Sequence, residues 1–262
     1  MTMHAGRLTL ISSLVFAAGT LLPHQGSAQE PSTRSSTTVA YWQFENGTSG
    51  EVASGTDTIL DSSGHGLDGT PYGDPVYTLE ANPVSEYALA FNGSSSRVYI
   101  PDDPQFFLNS LTLEAYITIY STPQPEGQIV FRGDDRDGLD PYNLEIEIGG
   151  YLHFKIFNDA NDYSDLATSF PLPFNQQLHV AGTLDADTGE QNLYVNGVLV
   201  ASRITAIRPI RKLDSSQIPG IGIGNVQSAT DSEYFDGTIS DVRISNIALS
   251  PSEFLPPIKH QP

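Results

Sequence analysis

The sequence contains no cysteine and few basic residues. The first shortage excludes disulfide bonds, and the second argues against anionic partners such as nucleic acid. No disulfide can form, so the fold must be stabilised by packing, hydrogen bonds and, where one binds, a metal ion. The 262 residues include 31 acidic and 12 basic side chains, a net charge of −19. Such a surface repels phosphate backbones and anionic lipids, which argues against nucleic acid as a partner. The acid excess has two interpretations, solubility or oxygen ligands for a hard cation such as Ca²⁺.

Several catalytic and structural patterns are also missing. The sequence has no G-x-S-x-G nucleophile elbow, no H-E-x-x-H zinc motif and no phosphate-binding loop. Outside the N-terminal segment, no window of helical length has an apolar period of about 3.6 residues. The mature chain is therefore not expected to be helical.

The first 28 residues have the features of an export signal. Arg7 supplies positive charge, residues 8–22 form an apolar run too short for a comfortable membrane span, and the small residues 26–28 precede a predicted cleavage before Gln29. An uncleaved anchor is the alternative. The signal predicts a secreted protein, extracellular or periplasmic, with no membrane insertion after cleavage.

The rest of the chain is interpreted as one domain with short flanks. Residues 29–38 are polar and predict a flexible lead-in, residues 39–254 predict a single domain, and residues 255–262 predict a disordered or loosely attached tail.

Short alternating segments dominate the predicted domain. Residues 111–119 (LTLEAYITI) alternate apolar and polar side chains, as in a half-buried strand. Residues 144–148 and 152–156 repeat the alternation around a glycine pair, which predicts a hairpin, and Asn196-Gly197 predicts another. Many short strands with 23 glycines and 18 prolines predict an all-β fold, an antiparallel two-sheet sandwich or jelly roll.

Five segments together resemble the laminin-G-like jelly-roll domains of the concanavalin A-like lectin/glucanase superfamily. In order along the chain they are AYWQFENG (40–47), LDSSGHGLDGT (60–70), ALAFNGSSSRVYIP followed by SLTLEAYI (88–117), LHVAGTLDADTGEQNLYVNGVLVAS (178–202) and YFDGTISDVRISNIALSPSEF (234–254). The resemblance implies a concanavalin A-like sandwich in which residues 40–44 pair near residues 237–244. It says less about function, because this fold hosts lectins, glycosidases and scaffolding modules.

The pairing of the chain ends would bring Asp61 towards Asp241, and the resemblance implies a structural calcium there. Carboxylates in contact repel unless a cation or a proton intervenes, and Ca²⁺ takes six to eight oxygen ligands. The predicted ligands are Asp61 and Asp241 first, then Asp68 and Asp236. The alternative is an Asx turn at Asp61, with Asp241 paired to Arg97 or Arg243.

Glu145 and Glu147 raise the possibility of a glycosidase. Alternate residues of a strand share a face, so their carboxyl groups could lie near the roughly 5 Å separation of retaining enzymes. The resemblance also implies a third, central acid in laminarinase-type enzymes, and Ile146 stands at its place in EIEIGG. Trp42, the single tryptophan, is expected in the core. The two glutamates are therefore interpreted as solvent-facing side chains of a hairpin, and no catalytic residue is predicted.

A binding face would use tyrosines and polar loops. Tyr116, Tyr120, Tyr142 and Tyr163 are candidates for an aromatic platform, with hydrogen bonds from Arg132, Asn158 and Asp162. The alternative is that these tyrosines only cover a sheet edge. The acidic loop at 133–140 is interpreted as a solvated turn that could instead border a ligand site, and His179 is interpreted as structural.

Three functions remain open from the sequence. The favoured one is an exported, non-catalytic module that recognises carbohydrate or a glycoconjugate and carries a structural calcium. The second is an adhesion or structural domain of the cell envelope with a protein partner, and the third is a divergent glycoside hydrolase.

Overall fold

The computed structural model describes residues 1–2, 37–123, 125–136, 139–228 and 233–258. The predicted signal beyond residue 2 and the predicted lead-in up to residue 36 lie outside these ranges. The described residues from 37 to 258 group into one compact unit. Within the described residues, no helix has the length and apolar character needed to cross a membrane.

The described residues form fifteen β-strands and one 3₁₀ turn at Pro104–Phe106, with no α-helix. The strands are β1 (Thr38–Trp42), β2 (Thr70–Tyr72), β3 (Val76–Leu79), β4 (Tyr87–Asn92), β5 (Arg97–Pro101), β6 (Leu111–Ile119), β7 (Glu126–Gly133), β8 (Tyr142–Glu147), β9 (Tyr151–Phe157), β10 (Tyr163–Ala167), β11 (Leu178–Leu184), β12 (Glu190–Val195), β13 (Val198–Ile204), β14 (Gly220–Ile223) and β15 (Asp236–Ser245).

Two antiparallel sheets pack face to face. The eight-stranded sheet runs β13-β12-β11-β6-β15-β4-β3, with β1 also paired to β15. The seven-stranded sheet runs β10-β9-β8-β7-β14-β5-β2. Alternate side chains of both sheets fill the space between them, as expected for a sandwich. The predicted all-β, antiparallel two-sheet fold is confirmed.

The two ends of the domain pair side by side, as predicted. Thr38 lies opposite Ser245 and Trp42 opposite Val242. Trp42 is fully buried, and its indole N–H donates to the carbonyl of Leu67 at 2.8 Å. Its predicted role in the core is therefore confirmed.

Strand β15 changes partner halfway along one of its edges. Asp236–Ile239 pair with β4, and Val242–Ser245 pair with β1. Asp241 lies at the change-over with φ 53, where the register against β6 shifts. Aspartate enters this left-handed region more readily than most residues, so its position suits the junction.

The predicted strand at 111–119 is confirmed as β6, but the expectation that it is half-buried was wrong, because all nine of its residues are buried. The polar face is covered by the C-terminal segment, residues 247–256. The Thr112 hydroxyl donates to the carbonyl of Ile247 at 2.7 Å, and the Tyr116 hydroxyl donates to that of Pro256 at 2.5 Å.

The same segment corrects the predicted tail. Leu255 is buried, and its backbone N–H donates to Glu114 Oε2 at 2.9 Å. The same oxygen lies 2.8 Å from His179 Nε2, and both of these side chains are fully buried. Residues up to 256 are therefore attached to the sandwich, and the structural interpretation of His179 is confirmed.

Both predicted hairpins are present. Strands β8 and β9 pair from Tyr142 opposite Ile156 to Glu147 opposite Tyr151. Strands β12 and β13 join through Asn196 and Gly197, with φ 50 and 74. Positive φ at both central residues is what a type I′ turn requires.

Candidate ligand-binding site

One face of the seven-stranded sheet is lined by polar and aromatic side chains that point away from the core; we call it the outer face. Directly paired residues share a face, so side chains align in rows across the strands. Two rows cross its central strands, Gln128–Glu145–His153 and Phe131–Asn143–Lys155–Asp165.

Glu145 is fully buried in this face, so its interpretation as solvent-facing was wrong. Lys155 Nζ forms a short ion pair with Glu145 Oε1 and lies 2.8 Å from Glu147 Oε1. Glu145 Oε2 accepts hydrogen bonds from Gln128 Nε2 at 2.7 Å and from Asn143 Nδ2 at 2.6 Å. These contacts exclude water from the carboxylate.

Burial shifts the titration of this cluster. It raises the pKa of Glu145 to about 7, although the nearby Lys155 ammonium opposes the shift. It also raises the pKa of Glu233 to about 8, and repulsion from Glu126 adds to the rise. The Gln128 amide links Glu145 and Glu233, because its Nε2 donates to both carboxyl groups, to Glu233 at 2.6 Å. These two carboxyl groups therefore bind protons near neutral pH.

The described residues contain two clusters of possible metal ligands, both on the outer face: Glu126, Glu145 and Glu147, and Glu147, His153 and Asp165. In each cluster the ligand atoms lie within 4.8 Å of one another. Lys155 already neutralises the first, and His153 Nδ1 pairs with Asp165 Oδ1 at 2.9 Å in the second. In the first cluster the Lys155 ammonium thus occupies the place that a metal would need, whereas in the second the contact joins two of the candidate ligands themselves.

The carboxylates of Glu145 and Glu147 are spaced as in a retaining glycosidase, but they are not both exposed, as the catalytic pair of such an enzyme must be. Their oxygens approach within 4.8 Å, comparable to the roughly 5 Å of such enzymes. However, Glu145 has no exposed surface and Lys155 lies against both carboxylates. A substrate cannot reach Glu145 in this arrangement.

An open pocket occupies the other end of the outer face, where β2, β5 and β14 meet; we call it the aromatic pocket. Its volume is about 440 Å³ and its lining is Tyr72, Arg97, Tyr99, Asp135, Ile218, Gln227 and Ser228. Small-ligand sites usually span roughly 300–1,000 Å³. Tyr72 and Ile218 are exposed, whereas Gln227 is buried.

Glycines of β14 shape this region. Gly220 and Gly222 lie on the outer face, while Ile221 and Ile223 between and after them are fully buried in the core. A Cβ on Gly220 would lie 2.5 Å from Cε2 of Tyr99, and one on Gly222 would lie 2.2 Å from the carbonyl oxygen of Asn225. The missing side chains let the Tyr99 ring and the chain after β14 approach the sheet.

Gln227 and Asp135 supply polar atoms to the pocket. The Gln227 Nε2 donates to Asp135 Oδ1 at 2.9 Å, and Gln227 Oε1 is buried without a partner among the described residues. A buried acceptor without a donor is costly, so this oxygen is suited to receive a hydrogen bond from a ligand. The 133–140 loop thus borders the pocket at Asp135, the alternative left open from the sequence.

Asp61 organises its own loop. Its Oδ1 accepts the backbone N–H groups of Tyr41 at 3.0 Å and Ser63 at 2.9 Å, and Oδ2 accepts the Ser63 hydroxyl at 2.7 Å and the Leu67 N–H at 3.1 Å. These bonds lower the pKa of Asp61 despite partial burial. The bond to Ser63 N–H is the Asx turn proposed as the alternative to calcium.

Asp241 joins β1 to the loop between β3 and β4. Its Oδ1 accepts the Tyr41 hydroxyl at 2.8 Å, and its Oδ2 accepts Asn82 Nδ2 at 2.7 Å together with the Ser85 hydroxyl. Burial raises the pKa of Asp241. Neither Arg97 nor Arg243 pairs with it; Arg243 binds Glu114 instead.

The four predicted calcium ligands are not gathered into one shell. Asp61 and Asp241 contact opposite ends of Tyr41, and Asp68 Oδ1 accepts the Asp61 backbone N–H at 2.7 Å. Asp236 contacts Ser121 and starts β15 five residues before Asp241, on the order of 15 Å away. The oxygens of Asp61 and Asp241 already accept hydrogen bonds within the protein, and a calcium ion held by these residues stays a prediction.

Three residues of the predicted aromatic platform are not at the surface. Tyr142 is fully buried and donates to the carbonyl of Phe106 at 3.1 Å, and Tyr116 lies under the C-terminal segment. Arg132 points to the core side and pairs with Asp102 at 2.9 Å. Their interpretation as surface contacts was wrong.

The remaining platform candidates are exposed. Tyr120 lies next to Asp236 at the end of β6, and Tyr163 stacks on Phe157 at 5.4 Å. The side chains of Asn158 and Asp162 form a turn before Tyr163. The aromatic pocket itself was not predicted. The segment GIGIG at 220–224 was the available signal, since it alternates glycine with buried isoleucine along a strand.

The chain belongs to the family Laminin_G_3, described as the concanavalin A-like lectin/glucanases superfamily, whose model matches residues 92–254. The resemblance inferred from five sequence segments is thereby confirmed. A comparison with curated proteins finds no match.

Solved structures with the same fold include carbohydrate-related and toxin domains. Domain 4 of AbnA, a GH43 extracellular arabinanase from Geobacillus stearothermophilus in complex with arabinotriose, is similar with a TM-score of 0.60 and 20% identity, covering 82% of this chain and 95% of that one. The binding domain of Paraclostridial Mosquitocidal Protein 1 gives a TM-score of 0.59 and 16% identity over 82% of this chain and 50% of that one. The binding domain of Botulinum Neurotoxin DC in complex with SialylT gives a TM-score of 0.58 and 16% identity, covering 82% of this chain and 49% of that one. This chain spans about half the length of the two toxin domains.

Proposed function

We propose that the protein is a non-catalytic carbohydrate-binding module that acts outside the cytoplasm, and that the aromatic pocket is its binding site. The observation that carries the proposal is the combination of exposed aromatic surface at Tyr72 with buried, unsatisfied polar atoms of Arg97 and Gln227 in one pocket. Sugars present both hydroxyl groups and C–H faces, so they need partners of both kinds.

The fold neighbours support this proposal. One was solved with arabinotriose, and another with SialylT. The predicted export signal supports action outside the cytoplasm, since extracellular glycans are the accessible source of such ligands. Mass spectrometry of the exported protein should show cleavage before Gln29; a retained signal would contradict this part.

The binding proposal is tested on a glycan array followed by calorimetry. We expect specific retention of at least one glycan and a loss of binding of at least tenfold in Tyr72→Ala. Tyr151→Ala is the matched control, because Tyr151 lies on β9 at the other end of the same sheet with similar exposure. A blank array, with envelope proteins co-purifying instead, would favour the adhesion function.

The absence of catalysis is part of the proposal. It is supported by the burial of Glu145 and by the ion pairs that Lys155 forms with it and with Glu147. Incubation with β-glucans and arabinans should release no reducing ends. Hydrolysis that disappears in Glu145→Gln would overturn it in favour of a divergent glycosidase.

A further inference from the structure

We infer that the aromatic pocket recognises a sugar that carries a carboxylate, a uronic or sialic acid, through the Arg97 guanidinium. This inference rests on the proposed carbohydrate function and specifies its ligand class.

Arg97 is a half-buried cation without a carboxylate among the described residues. It begins β5 opposite Tyr72, and its Cζ lies 4.1 Å from the centroid of the Tyr72 ring. Its Nη1 is buried and has no hydrogen-bond partner among the described residues. Burial lowers the pKa of Arg97, and the nearby Tyr72, Tyr234 and Tyr99 oppose that shift.

Other arginines of the described chain show what Arg97 lacks. Arg132 pairs with Asp102, and Arg136 and Arg243 pair with Asp134 and Glu114. Arg208 is also partly buried and has no carboxylate among the described residues, but its guanidinium donates to the carbonyls of Ala186, Thr205 and Ile207. Arg97 differs because its buried Nη1 has no such partner. Placing a cation out of water without a counter-ion costs free energy, which an incoming carboxylate would recover through a charge-assisted hydrogen bond.

The rest of the pocket suits a sugar ring better than a simple anion. Gln227 Oε1 and Asp135 can accept hydrogen bonds from hydroxyl groups. Ile218 contributes exposed apolar surface at the rim and has φ 47, a strained value for a β-branched residue. Such strain concentrates at functional sites.

Asp135 is the one carboxylate among the described residues that line the pocket, and it would repel an anion. Its Oδ1 accepts a hydrogen bond from Gln227 Nε2 at 2.9 Å, whereas the Arg97 guanidinium lies over the Tyr72 ring. The negative charge therefore lies on the Gln227 side, where hydroxyl groups are expected, and the ligand carboxylate belongs on the Arg97 side.

The test compares acidic glycans with their neutral counterparts on the full chain. The array carries glucuronate-, galacturonate- and sialate-terminated glycans beside matched glucosides, galactosides and asialo glycans, and the best pair is measured by calorimetry. We expect at least tenfold preference for the acidic member. Arg97→Gln should remove that preference while changing neutral binding less than threefold, and Arg203→Gln, the same charge change at an exposed site on β13, should leave it intact.

A second variant keeps the test decisive if Arg97→Gln fails to fold. Asp135→Asn removes the repelling charge and should tighten acidic binding about threefold, with no gain for neutral glycans. Equal binding of acidic and neutral glycans would overturn the inference and leave the proposed function standing. A preference for acidic glycans that neither variant changes would also overturn the inference. Binding of no glycan would overturn both the inference and the proposed function.

Discussion

Lys155 on β9 forms its shortest ion pair with Glu145 on β8, the neighbouring strand. The Glu145 side chain is fully buried there. The pair does not offset the loss of hydration, because the pKa of Glu145 still rises to about 7. The cluster therefore links folding to proton uptake.

The fold should be more stable at pH 5 than at pH 8. The folded pKa values of Glu145 and Glu233, about 7 and about 8, lie above the ordinary 4.5. Their contribution is fully present below pH 4.5 and is lost as the pH rises through 7 and 8. His153, with a raised pKa, acts in the same direction. Urea denaturation across this range measures the effect; a flat profile would contradict it.

Glu145→Gln should weaken that pH dependence. The rise of the pKa from 4.5 to about 7 corresponds to ~3 kcal/mol as an upper bound at about 1.4 kcal/mol per unit. The amide carries no charge, so the variant should gain stability relative to the wild type at pH 8 and not at pH 5. Glu86→Gln, at an exposed position, is the control. Equal slopes for Glu145→Gln and wild type would show that another group causes the dependence.

Removing the Asp241 carboxylate should destabilise the fold strongly. Asp241→Ala leaves the Tyr41 hydroxyl, Asn82 and Ser85 without their acceptor in a buried site, at a cost of about 2–4 kcal/mol. Tyr41→Phe removes one of these bonds and should cost about 1 kcal/mol. The two variants should be non-additive in a double-mutant cycle; full additivity would mean that the bond contributes nothing.

The calcium prediction has a separate test. Calcium at about 100 times its Kd would stabilise the folded state by about 2.7 kcal/mol, so chelation should lower the melting temperature and Asp61→Asn should abolish the difference. Identical melts with chelator and with calcium would support the hydrogen-bonded arrangement of Asp61 and Asp241 instead.

The C-terminal segment should contribute to stability. Phe254 is buried, lies 5.0 Å from the Tyr194 ring and 5.8 Å from the His179 ring, and belongs to a small apolar cluster with Ala181 and Leu249. Phe254→Ala should cost about 3 kcal/mol. Ile258→Ala, four residues later, should have little effect; equal losses in both would contradict a specific contact.

The fold could be predicted from the sequence because local residue patterns indicate its strands and turns. Alternation in 111–119 and the Asn196-Gly197 turn depend on neighbouring residues alone, and both give the strands expected. The burial of polar side chains did not follow from such patterns. Glu145 binds Gln128, which also binds Glu233, and Tyr116 binds the carbonyl of Pro256; Glu233 and Pro256 lie far away in sequence.

The site was harder to predict for the same reason. The aromatic pocket combines Tyr72, Arg97, Asp135 and Gln227, which no short motif contains. Tyr116 and Tyr142 occupy strand positions that a surface residue could also occupy, and only the tertiary arrangement distinguishes the two.

The pairing of β1 with β15 also bears on the order of folding. These strands are separated by about 200 residues, and contacts of such long range form late because the intervening loop must close first. With no disulfide to hold the ends, Trp42 and Asp241 cannot reach their buried positions until almost the whole domain is present. Refolding is therefore expected to be slow, with burial of the single tryptophan among its last events.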